Sequence, residues 1–166
     1  MFDLAPVQLD ATSRGWVAQL DLRAERRGDR TVLAHTHHRG PLRVQKALYP
    51  ESPARADLLI LHPPAGIAGG DELHIDLQVA PDAQVRVTTP GASKWYRCDG
   101  RVALQRTRLR VDNDAVLEWL PQEAIVFDGA HIRSELQIEC SARARACGWD
   151  VWMLGRRASG ESFRIG

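Results

Sequence analysis

The stretch "ELHIDLQVAPDAQVRVTTPG", residues 72–91, decides the fold. Apolar and polar residues alternate from Leu73 to Val79, which is the pattern of a strand with one buried face. Ala80, Pro81 and Asp82 interrupt it with turn chemistry. The alternation then resumes through Ala83, Val85 and Val87 and stops at Pro90-Gly91. The unit reads as strand, tight polar turn, strand.

The unit recurs downstream at a spacing of about thirty residues, the range of stacked repeat architectures. Leu77-x-Val79 followed by Ala83-x-Val85-x-Val87 aligns with Leu109-x-Val111 followed by Ala115-x-Leu117-x-Trp119. The same frame is expected a third time as Leu136-x-Ile138 followed by Ala142-x-Ala144-x-Ala146, with the three turns at "APD", "DND" and "ECS". Such units point to an all-β fold with few helices. Strand pairs would be stacked in β-solenoid-like layers, each covering its neighbour's apolar face. A plain meander produces the same alternation. Further strands are expected in "GWVAQLDLRAE" (15–25), "RTVLAHTHH" (30–38), "SELQIEC" (134–140) and the apolar run "DLLIL", while "GESFRIG" at the end looks like the start of another.

With 166 residues, 44% hydrophobic and 26% charged, residues 1–166 fit one soluble β-rich domain. A formal net charge of +1 gives no reason to expect nucleic acid or an anionic membrane as partner. All basic residues but Lys46 and Lys94 are arginine, spread along the chain. Cys98, Cys140 and Cys147 form an odd set without a CxxC pair, which favours reduced thiols over a disulfide framework. The opening "MFDLAPVQLD" lacks the signal-peptide pattern and no apolar run reaches membrane length, so a cytoplasmic location is expected.

Chemistry-bearing motifs are few. "LHPPAGIAGGD" (61–71) is neither GxGxxG nor a P-loop and reads as a rigid corner, with Asp71 as a turn cap or a polar group facing an interior channel. In "HTHH", His35 and His37 share one face of a strand, as two legs of a transition-metal site or as a solvated strand end beside His38. His62 and His131 stand alone. Ser93 is in no GxSxG elbow, and Ser93-Lys94 is not SxxK spacing; Lys94-Trp95-Tyr96 reads as a surface patch or a core strand. "LEWLPQEAIVFDGA" (117–130) sets Glu118, Glu123 and Asp128 in apolar company, where a carboxylate must be exposed, paired, metal-bound or chemically used. Glu118 and Glu123 could serve a carboxylate-dependent hydrolase if they converge. Asp150, between Trp149 and Val151, must be hydrogen-bonded or paired if both faces of its strand are covered.

Five blocks in order resemble the UreD (also called UreH) urease accessory proteins: "GPLRVQKALYPE" (40–51), "LLILHPPAGIAGGDEL" (58–73), "TTPGASKWYR" (88–97), "LEWLPQEAIVFDGA" and "GWDVWMLGRRASGE" (148–161). The family usually shows glycine where Ala65 stands and proline where Arg157 stands, and its members continue beyond the equivalent of Gly166. The chain is therefore expected to be an amino-terminal part of that architecture.

The resemblance implies a non-enzymatic scaffold for nickel delivery during urease metallocentre assembly, with a β-rich fold of helical stacking. Its implied partners are the urease apoprotein and, through UreF, the GTPase UreG. It implies no permanently bound cofactor, only nickel in transit. On that footing Asp71, Ser93 and Asp150, with Glu118 and Glu123, are expected to line a hydrated internal nickel route, since oxygen ligands hold such an ion loosely. A β-rich hydrolase and a β-sheet interaction module without a metal role are the alternatives.

Overall fold

The structure is a computed structural model that describes residues 15–164; the opening decapeptide lies outside them. The strands, in chain order, are β1 (Val17–Arg27), β2 (Arg30–Arg39), β3 (Arg43–Val44), β4 (Arg55–Leu61), β5 (Glu72–Val79), β6 (Gln84–Thr88), β7 (Ser93–Trp95), β8 (Ala103–Val111), β9 (Val116–Leu120), β10 (Ala124–Val126), β11 (Ile132–Cys140), β12 (Arg145–Gly148) and β13 (Trp152–Leu154). A single 3-10 turn (Arg157–Ser159) is the only helix among the described residues. Glu161–Arg164 form no strand, and the last two residues of "GESFRIG" lie outside the described residues.

β5, β6 and β7 make one coil of a β-solenoid, β8 to β10 a second, and β11 to β13 a third. Equivalent strands of successive coils pair in parallel: β5–β8–β11, β6–β9–β12 and β7–β10–β13. The expected stacking of strand units is therefore correct. A layer before the first coil is built from β1 on β5, β4 on β6, and Ile67, which bridges to Trp95. The antiparallel strands β2 on β1 and β3 on β4 finish that end.

In-register stacking turns the sequence alternation into columns. Leu22, Leu77 and Leu109 lie over one another facing inward, as do Ala24, Val79 and Val111, all at most 4% exposed. Burying each large side chain of this kind contributes about 1.5–3 kcal/mol. The corner repeats too: Ala83, Ala115 and Ala144 each donate their N–H to the carbonyl three residues earlier (3.1, 3.1 and 2.9 Å). Val116 and Arg145 then bond the carbonyls of Ala83 and Ala115 below them.

The first two repeats align as the sequence suggests, whereas the third is displaced by two residues. Ile138, not Leu136, lies over Leu109, and the third turn falls at Ser141–Ala144 and not at "ECS". A slip of two leaves every side chain on the same face, so alternation cannot detect it.

The proline–glycine corner does form a rigid third side of the first layer. Ile67 donates to the Lys94 carbonyl (2.7 Å) and accepts from the Tyr96 N–H (2.9 Å). A Cβ on Gly66 would fall 2.0 Å from the Tyr96 ring, so only glycine fits there. Ala65 before it has φ +61°, a left-handed conformation that costs a residue with a Cβ.

Two outcomes follow for unfolding equilibria. Leu109→Ala is expected to cost about 2–5 kcal/mol. Ile138→Ala, in the same column but 42% exposed on the last coil, should cost less than about 1 kcal/mol. Ala65→Gly should stabilise by about 0.5–1 kcal/mol, because relief of left-handed strain outweighs the added freedom of the unfolded chain. An unchanged or lowered denaturation midpoint for Ala65→Gly would show that the Cβ is not strained.

Candidate functional site

The coils enclose a lumen of about 260 Å3 that runs from the first layer to the third coil. Leu42, Ile60 and Ile67 close it at the first layer, where all three are at most 4% exposed. Trp95, Trp119 and Trp152, one from each coil, form much of its wall, and the rings of Trp95 and Trp152 lie 5.9 Å apart. One inward column changes character along the stack, from Ala18 and Leu73 to Gln105 and then Ser134. This column of the wall therefore gains polar side chains toward the third coil, while Trp119, Val151 and Trp152 keep much of the wall there apolar.

Three buried polar atoms in this region have no hydrogen-bond partner among the described residues: Trp95 Nε1, Trp119 Nε1 and Thr107 Oγ1. Both indoles belong to lining residues, and a buried N–H of this kind calls for an acceptor, ordinarily water. A space this large, with Ser93, Gln105, Ser134 and Asp150 on its wall, suits several hydrogen-bonded waters.

The five expected route residues separate. Ser93 and Asp150 line the lumen; Asp71, Glu118 and Glu123 are not among its lining residues. Asp71 is buried, but its carboxylate accepts the backbone N–H groups of Trp16 (2.9 Å) and Ala68 (2.8 Å), so it fastens the glycine corner to the start of β1. Glu118 faces outward from β9 and accepts from Arg86 (2.7 Å), which also pairs with Asp57 and Glu51; Arg55 lies 3.6 Å away. Glu123 follows β9 in the loop, and its carbonyl accepts the Ser93 N–H (2.9 Å). Glu118 is thus engaged in an outer ion-pair network, and neither glutamate lines the lumen. Asp128-Gly129 is a turn, as read, and Asp128 Oδ1 accepts the Arg164 N–H (2.7 Å).

Residues not foreseen on the wall are Gln105, Ser134 and His62. The first was visible in "ALQRTRLRV", where Gln105 and Thr107 occupy the inward parity otherwise held by Ala103, Leu109 and Val111. Burial pushes the His62 imidazole below its ordinary pKa, with Asp71 pulling partly back, which favours the neutral, metal-ligating form. Asp150 stands just before β13 in the third coil, exposed along part of its surface and bordering the lumen. Desolvation raises its pKa, and the Trp119 indole opposes this. By geometry Trp119 Nε1 completes no hydrogen bond, so it acts on Asp150 as a nearby dipole.

The remaining groups are dispersed. Cys98, Cys140 and Cys147 are free. Among the described residues no three His, Cys, Asp or Glu side chains are grouped to hold a metal ion, and no helix is long and apolar enough to cross a membrane.

The raised Asp150 pKa means that the folded state holds this proton more tightly than the unfolded state. Its contribution to stability is complete below the ordinary value of 3.8 and is lost as pH rises through the raised one. Asp150→Asn should therefore match the parent below that value and become the more stable protein as pH rises. Denaturation midpoints across a pH series check this; curves that stay parallel throughout would place the carboxyl in ordinary solvent.

The sequence model of the UreD urease accessory protein family matches residues 17–166. The urease accessory protein UreD of Dechloromonas aromatica is 52% identical over 161 residues, covering 97% of this chain and 56% of the relative. UreD of Ralstonia nicotianae is likewise 52% identical, covering 97% of this chain and 54% of the relative. UreD of Acinetobacter baumannii is 47% identical over 148 residues, covering 89% and 51%. The chain spans about half the length of the curated relatives it matches. It belongs to the UreD family of urease accessory proteins.

Proposed function

We propose that this chain acts without catalysis of its own in urease metallocentre assembly, as a scaffold through which nickel passes to the apoenzyme. The observation that carries the reading is the lumen: it passes the first layer and the three coils, and Ser93, Gln105, Ser134 and Asp150 lie on its wall. Nickel is the cargo here. Ser93 and Ser134 hydroxyls, the Gln105 amide oxygen, the Asp150 carboxylate and water offer weak oxygen ligands that let the ion move on. His62 adds one nitrogen at the first-layer end. A thiolate set would hold the ion, and none of the three cysteines lines the lumen.

The family membership supports urease as the destination, and in this reading the chain contacts apo-urease and, through UreF, the GTPase UreG, in the cytoplasm. The absence of a P-loop motif from this sequence agrees with nucleotide chemistry being left to a partner. Asp71 drops out as a test residue, because removing its two backbone hydrogen bonds would loosen the corner whatever the lumen does.

Urease activation in cells co-expressing the structural and accessory genes at limiting nickel tests the reading. Asp150→Val and Ser93→Leu are expected to lower nickel occupancy and activity of the urease several-fold, while the variant chain is still recovered with its partners. Full activation by both variants would remove the lumen from the pathway.

A further inference from the structure

We propose that His35 and His37 form a surface site for a divalent first-row transition metal on the outer face of β2, independent of the lumen. β2 is an edge strand, and its register sets His37 opposite Asp21 and His35 opposite Arg23 of β1. Asp21 and Arg23 alternate with the buried Leu20 and Leu22, so both histidines face outward. Two residues of a strand span about 6.7 Å, near enough for two imidazoles to lean onto one ion. His38, opposite Leu20, faces the other way.

The second observation is how His37 is held. Its Nδ1 lies 3.0 Å from Asp21 Oδ2. A carboxylate can only accept, so Nδ1 donates, and in the neutral imidazole Nε2 then carries the free lone pair. This is the arrangement in which a carboxylate fixes the tautomer and orientation of a metal-binding histidine. Asp21 is held in turn by the Gln19 amide, at 2.9 and 3.2 Å from its two oxygens. Asp76 lies beside Asp21 in register on β5, adding a second carboxylate to the local field. Two cations flank the pair: Arg23, opposite His35 and answered by Glu25 at 3.2 Å, and Arg39, two residues beyond His37 on the same face.

Two imidazoles with water completing the shell make an open site, and imidazole selects nickel, copper or zinc over magnesium. The pair is distinct from the three-ligand groups that are absent from the described residues. It lies at the β2 edge of the stack, away from Asp150 on the third coil, so failure of either proposal leaves the other standing.

Calorimetric titration of the chain with nickel chloride, and with magnesium chloride as the hard-cation control, decides the matter. All three cysteines are left unchanged and reduced in every protein. The expected result is nickel binding that the His35→Ala/His37→Ala double variant weakens at least tenfold. Asp21→Asn should weaken it by about tenfold or more. His38→Ala should leave it unchanged, and magnesium should not compete. All the substituted side chains are exposed or half-buried, so the variants should keep the parent β-sheet circular dichroism. The proposal is overturned if the parent does not bind nickel, if the double variant binds as tightly as the parent, or if His38→Ala costs as much as the double variant.

Discussion

Parallel, in-register stacking is the constraint on which the rest of this molecule depends. Coils lie about 4.8 Å apart, so every side chain touches its equivalents in the layers above and below. Inside, that rewards repetition, and Leu77 over Leu109 or Val79 over Val111 builds the core. Outside, repetition would stack like charges; Asp76 does lie over Asp21, but several other columns change sign between layers. Asp57, Arg86 and Glu118 form one such column, with the Arg86–Glu118 pair at 2.7 Å. Arg106 over Glu135 and Asp114 beside Arg143 repeat the device, each pair at 2.6 Å. Exposed pairs of this kind contribute little stability singly. Their value is in register, because a slipped coil would separate the paired charges.

The same constraint explains how a lumen survives in a stacked core. A polar residue at an inward position can be continued by the same position one layer on, as Gln105 is by Ser134, whereas Thr107 is followed by Leu136. Gln105 over Leu73 begins such a file and Ser134 over Gln105 continues it. The tryptophans hold the walls apart, and their neighbours are cut to fit: a Cβ on Gly148 would meet the Trp119 carbonyl oxygen at 2.6 Å. Small residues at the corners and large ones across the lumen thus set its width.

Much of this was legible in the residues themselves, and what was not has a physical reason. Alternation with turn chemistry gave the strand units and the first two repeats in correct register. The third repeat was misplaced by two because alternation has period two and Ala142, Ala144 and Ala146 all fit the pattern. Ser93 and Asp150 are the two of the five that border the lumen. Asp71, Glu118 and Glu123 were not separable from them, since a carboxylate in apolar company looks the same whether it caps a backbone, pairs with arginine or faces water. The partner that decides is far away in sequence: Trp16 for Asp71 and Arg86 for Glu118. The left-handed backbone at Ala65 gives a physical ground for the glycine the family usually carries there.

On the transit reading, the layer spacing also sets the step of the ion. A divalent cation bound at about 2.0–2.1 Å to oxygen or nitrogen needs the next ligand within roughly two such bonds, or one bridging water away. Successive coils supply positions about 4.8 Å apart, which meets that condition without any backbone movement. A wall of strong ligands at this spacing would trap the ion at each layer. Hydroxyl, amide and water along the file, with the one lining carboxylate at Asp150, would give a path of weak ligands with a single stronger one. The raised Asp150 pKa fits that position: a carboxyl that is costly to ionise in the empty lumen gains most from an arriving cation, and gives up its proton as the ion binds.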